Sequence, residues 1–150
     1  STGYSIQKAV QYADVVIGAV LVPGARAPVV VTEKMVSRMK PGSVIVDVSI
    51  DQGGSVETIR PTSHGEPTYK LYDVIHYAIP NMPASVPRTA TFALTNATLP
   101  YIRAIASTGI KKAAEANLTI ASGINMRRGA ITHPAVAEVF KMKWKSWNRA

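Results

Sequence analysis

Apolar residues in this chain gather in short continuous runs at 15–20, 43–48 and 74–79, interrupted only by single small or polar residues such as Gly18, Asp47 and His76. Continuous rather than alternating apolar character is what a strand covered on both faces requires. The runs therefore predict neighbouring strands of a parallel sheet with helices packed on each side. Each leads into a loop with Gly or Pro: Pro23-Gly24 after the first, Asp51-Gln52-Gly53-Gly54 after the second, and Pro80-Asn81-Met82-Pro83 after the third. In a parallel sheet these loops share one rim, and ligands of open α/β sheets bind at such a rim.

Between the runs the period becomes helical. Ile6, Ala9, Val10 and Ala13 recur at helical spacing behind Ser5, which predicts an N-capped helix over 6–13. Thr32 is the N-cap of a second helix over 33–39, with Glu33 at its amino end and Arg38 and Lys40 at its carboxyl end, stopped by Pro41-Gly42. Residues 53–70 are polar and aperiodic and predict a long loop. A helix over 88–107 has apolar residues on most sides, Phe92, Leu94, Leu99 and Ile102 among them. That pattern predicts a buried helix, kinked at Pro100 and ended by Gly109. A shorter helix over 110–116, an irregular segment over 122–132 and a last turn or two over 135–140 complete the chain.

The alternation of helix and parallel strand is the second half of a doubly wound, Rossmann-type α/β sheet, followed by carboxyl-terminal helices. No Gly-x-Gly-x-x-Gly is present, so a phosphate-binding turn of that kind is expected before Ser1.

Composition narrows the chemistry. With 150 residues, 47% apolar, the chain has room for one core. No stretch approaches the roughly 18 uninterrupted apolar residues of a membrane span, and Ser1-Thr2-Gly3-Tyr4 does not open a signal peptide, so a soluble chain with no membrane partner is expected. Cysteine is absent, which excludes disulfides and thiolate metal sites and fits a reducing compartment. His64, His76 and His133 lack ligand spacing, so no metal is expected; His76, inside an apolar strand, reads as a satisfied core histidine rather than a base. The net charge is +8, with one basic cluster at Lys141, Lys143, Lys145 and Arg149. Without a helix-turn-helix, finger or aromatic-basic platform, this charge does not predict nucleic acid. It suits a solvated surface or a rim that attracts a dinucleotide.

Three blocks are specific enough to carry a family resemblance: residues 20–28 (VLVPGARAP), 39–54 (MKPGSVIVDVSIDQGG) and 81–89 (NMPASVPRT). Together they closely resemble bacterial L-alanine dehydrogenases, over about residues 1–140. The NAD-binding subunit of proton-translocating transhydrogenase shares the Pro-Gly and Asp-Gln-Gly-Gly blocks, while the stretches around Asn81 and Thr95-Asn96 favour alanine dehydrogenase. The resemblance implies reversible, NAD-dependent oxidative deamination of L-alanine to pyruvate and ammonium, in a cytoplasmic hexamer of two-domain subunits. It also implies that residues 1–123 are part of the NAD-binding domain and that 124–150 return to the substrate domain. The family's catalytic Lys and His belong to an amino-terminal portion not found here, so the chain alone is expected to be inactive.

Carried over residue by residue, the resemblance makes Asp51 the catalytic carboxylate. A buried acid at a strand's carboxyl end can hold an ammonium or carbinolamine by charge-assisted hydrogen bonds; the competing reading is a loop cap. It places Asn81 near the nicotinamide, against an Asn that only caps the following helix. It lines the cofactor cleft with Val20, Leu21, Val48, Ser49, Ile50, Asp51, Ile79, Pro80, Asn81 and Met82, and sets Ser1 near the adenosine. Gly53 and Gly54 then leave room for the cofactor or simply make the turn. Asp47, inside a strand, needs a partner if buried. A transhydrogenase subunit and a non-catalytic basic binding module remain as alternative readings.

Overall fold

A computed structural model describes residues 2–150; Ser1, expected near the adenosine, lies outside the described residues. The chain divides into two compact units. One holds the chain up to Val22 together with Arg26–Met82; the other holds Pro23–Ala25 and Pro83–Ala150.

The first unit is built on a four-stranded sheet. Helix α1 (Gly3–Tyr12) starts earlier than its apolar spacing indicates, because Thr2 rather than Ser5 is the N-cap and its side chain accepts from the Ser5 N–H. Strand β1 (Val15–Gly18) follows, then helix α2 (Glu33–Val36), capped by Thr32 as expected. Strand β2 (Val44–Asp47) runs into a 3-10 turn over Val48–Gln52. Strands β3 (Thr68–Leu71) and β4 (Val74–Tyr77) complete the sheet, in the order β1-β2-β4-β3. The three strands foreseen from the apolar runs are mutually parallel; β3 is antiparallel to β4.

The register aligns Val16, Ile45 and His76 in one row and Ile17, Val46 and Tyr77 in the next. Successive residues of a strand point to opposite faces, so these rows belong to different faces of the sheet. Ile45, Val74 and His76 are fully buried, and Ile45 and Val74 join Val10, Val31, Val36, Met39 and Val56 in the core. Full burial of such an aliphatic side chain contributes about 2 kcal/mol. On β1 the other face is open: Val15 is 56% and Ile17 67% exposed, so the two-sided covering expected for that strand is not supplied by the described residues.

In the second unit, helix α3 (Pro87–Ala116) keeps helical backbone through Pro100 and breaks only at Gly109, where φ is 77° and ψ 156°. The backbone dihedrals leave the helical region at Gly109, a residue that tolerates positive φ. The helix is not buried throughout: Phe92, Leu94 and Ile102 are each more than half exposed. Its last turns, with Ala113 and Ala114, pack against Ile120 of helix α4 (Leu118–Ser122). The segment expected to be irregular contains a small hairpin, β5 (Met126–Arg127) and β6 (Ala130–Ile131), before helix α5 (Pro134–Val139).

Candidate active site at the carboxyl ends of the parallel strands

The rim of the sheet is shaped by the chain leaving β1 and β2. After β2 the backbone tightens at once into the Val48–Gln52 turn, which Gly53 closes in left-handed conformation (φ 94°). The turn is tied to the chain leaving β1 by the Val20 N–H, which donates to Ser49 Oγ at 2.7 Å. Between them lies a hollow of about 190 Å³ lined by Ala19, Val20, Leu21, Val48, Ser49, Asp51 and Gln52. Asp51 and Gln52 are the residues of its lining that carry a carboxylate and a carboxamide, and Gln52 Oε1 is buried without a hydrogen-bond partner among the described residues.

Asp51 is exposed in this chain rather than buried, and both its carboxylate oxygens receive the Asn81 N–H, at 3.0 and 3.1 Å. Asn81 achieves this in left-handed backbone, φ 52°, a conformation that Asn accepts more readily than most residues. The loops after β2 and β4 are thereby joined through the two polar residues singled out in the sequence.

The remaining candidates divide. Val20, Leu21, Val48 and Ser49 line the hollow with Asp51. Ile50 and Ile79 are buried. Pro80, Asn81 and Met82 follow β4 and do not line the hollow, although Asn81 reaches it through Asp51. At Gly54 a Cβ would collide with Ile59 of this same chain, so its missing side chain makes room for the loop's own packing, at φ 78°.

Asp47 has no counterpart in the sequence-derived site, yet it organises the loop. Fully buried, it accepts from the N–H groups of Ser49 at 2.9 Å, Ser55 at 2.7 Å and Val56 at 3.1 Å, and from the Ser55 hydroxyl at 3.3 Å. A carboxylate inside an otherwise apolar run was the only sequence signal for it.

His76 is a core histidine. Its Nδ1 faces the Val74 carbonyl at 3.0 Å and must donate, so in the neutral ring Nε2 accepts from the Thr58 hydroxyl at 2.9 Å. Burial pushes its pKa below the ordinary 6.5, with the Val74 bond acting the other way. The ring stacks on Tyr69 at 4.8 Å. Among the described residues no cluster of His, Asp or Glu could hold a metal ion, and no helix is long and apolar enough to cross a membrane.

Parallel strands whose carboxyl-end loops converge on a hollow define a Rossmann-type α/β domain. The family model described as alanine dehydrogenase/PNT, C-terminal domain, matches residues 1–134, and the chain belongs to that family. Among its relatives, an alanine dehydrogenase of Staphylococcus haemolyticus is 52% identical over 97% of this chain and 39% of its own length. An alanine dehydrogenase of Methanococcus maripaludis is 50% identical over 100% of this chain and 40% of its own length. A solved structure of an L-alanine dehydrogenase superposes with TM-score 0.77 at 52% identity, covering 94% of this chain and 39% of that one. A transhydrogenase structure from Sinorhizobium meliloti shares the fold, with TM-score 0.64 and 22% identity over 90% of this chain and 36% of that one. The chain thus spans about two-fifths of the length of these curated relatives.

Proposed function

We propose that this chain is the carboxyl-terminal part of an NAD-dependent L-alanine dehydrogenase, supplying half of the coenzyme cleft and one catalytic carboxylate for the reversible conversion of L-alanine and water to pyruvate and ammonium. The observation that carries the reading is the joining of Asp51 to the Asn81 backbone beside the hollow at the ends of β1 and β2. The relatives' names carry the choice of substrate. In this reading residues 1–123 belong to the coenzyme domain and 124–150 return to the substrate domain. The protein is a cytoplasmic homo-oligomer, hexameric by family resemblance.

The residues present suit part of a dinucleotide. Val20, Leu21 and Val48 offer an apolar wall to a planar ring, with the Asp51 carboxylate beside it. Bound NAD supplies the hydride acceptor, and the protein supplies orientation. Asp51 holds the substrate nitrogen by a charge-assisted hydrogen bond and shares its proton with the base contributed from elsewhere in the enzyme. The Asn81 N–H takes up part of both Asp51 oxygens and so restricts how the carboxylate can turn.

The test is Asp51→Asn in the full-length protein. Alanine-dependent NADH formation is expected to fall roughly 10²-fold or more, the size of effect that general acid-base work supplies, while NADH binding followed by its fluorescence changes only a few-fold. Turnover close to that of the parent removes Asp51 from the mechanism, and a parent protein that binds NADH but does not turn over L-alanine removes the substrate assignment.

A further inference from the structure

We infer that Asp47 is a positioning residue, whose buried carboxylate clasps both ends of the segment carrying Asp51 and thereby sets where Asp51 stands; this rests on the catalytic reading of Asp51. At the near end Asp47 caps the 3-10 turn through the Ser49 N–H, received by Oδ1 at 2.9 Å. At the far end Oδ2 receives the Ser55 N–H at 2.7 Å and the Val56 N–H at 3.1 Å. Asp51 lies between these anchor points, four residues beyond the clasp and four before Ser55.

The surroundings are shaped for this carboxylate. A Cβ on Gly18 of the neighbouring strand would stand 2.5 Å from Ser55 Oγ and 2.9 Å from Asp47 Oδ1, so only glycine lets β1 pass alongside. Asp47 takes part in no salt bridge among the described residues. Its charge is held instead by converging N–H dipoles, which are directional and therefore specify loop geometry more tightly than a mobile Lys or Arg partner. Three main-chain donors on one carboxylate are more than a strand end needs for capping, since the cap uses the Ser49 N–H alone. The other two reach across the loop and fasten the far side of the Asp51 segment.

Asp47→Asn keeps the side-chain shape but turns an amide N–H₂ toward N–H donors, so part of the clasp opens. In the full-length protein it is expected to lower kcat for alanine deamination at least ten-fold while the protein stays folded, with a lowered thermal midpoint from the buried N–H groups left unpaired. The double variant Asp47→Asn/Asp51→Asn is expected to be no more than about three-fold slower than Asp51→Asn alone, because a residue acting through Asp51 has nothing left to act on. A kcat within two-fold of the parent for folded Asp47→Asn, or losses that multiply in the double variant, overturns the inference. If Asp47→Asn does not fold, Asp47→Glu replaces it, keeping the charge but displacing the carboxylate from the three N–H donors by one methylene. A several-fold loss of kcat that vanishes in the Asp51→Asn background supports the clasp, and an unchanged kcat overturns it. Parent-like turnover by Asp51→Asn alone instead marks failure of the catalytic reading itself.

Discussion

At Asn81 the backbone and the side chain can be separated experimentally. Its N–H holds Asp51 only because the residue sits at φ 52°, a region that costs an ordinary L-residue roughly 1 kcal/mol and glycine almost nothing. Asn81→Gly and Asn81→Ala both lose the carboxamide. If the main-chain bond matters, the Gly variant should keep a kcat/KM about five-fold above that of the Ala variant, as steady-state kinetics on the full-length protein will report. Ser49→Ala leaves the Val20 N–H without its acceptor at the wall of the hollow. Loss of such a bond costs about 1–3 kcal/mol, so NADH affinity should drop about ten-fold, measured by fluorescence titration. Asp51 and Asn81 were singled out as site residues by the resemblance, in loops that follow apolar runs. Asp47 was not, because its partners at positions 49, 55 and 56 are main-chain groups that no side-chain identity announces.

The β3–β4 hairpin shows the same division between legible and hidden. Strand β4 was visible as an apolar run, but β3 fell within a stretch of polar residues, and its turn is made by Tyr72 and Asp73, both at positive φ (54° and 57°), without glycine. Two-residue hairpin turns demand that backbone, and the usual Asn-Gly or Asp-Gly signal is missing here. What compensates is a network under the loop. The Tyr69 hydroxyl donates to the Thr58 carbonyl at 2.7 Å and accepts from the Arg60 N–H at 3.0 Å, while Thr58 donates to His76. Tyr69→Phe keeps the stack on His76 and removes both bonds, so denaturant unfolding should show a loss of about 1–3 kcal/mol. Buried neutral, His76 has a folded pKa below its unfolded value near 6.5. Its contribution to stability is therefore complete above pH 6.5 and is lost as the pH falls from there through the folded value, because the unfolded chain takes up the proton first. The thermal midpoint should decline between pH 7 and pH 5, and His76→Gln should flatten that decline.

Considered entire, the first unit follows from a simple pattern: three apolar runs, three parallel strands, one shared rim. The second unit was less predictable, because the long helix has apolar residues all round yet leaves Phe92, Leu94 and Ile102 exposed, and periodicity cannot say which apolar side chains are covered. The two edges of the sheet differ in kind. On one side β3 lies antiparallel with Thr68 and Lys70 exposed, and a lysine on an outer strand discourages further pairing. On the other, β1 is a parallel strand with no neighbour among the described residues, and Val15 and Ile17 face outward. Alternate peptide groups of β1 therefore point away from β2, and in hydrogen exchange on this chain they should lose protection well before the amides of central β2. Among the described residues, growth of this sheet is favoured in one direction: a strand that extends the array docks more readily beside Val15–Gly18, where apolar side chains are still in contact with water, than beside the lysine-bearing β3.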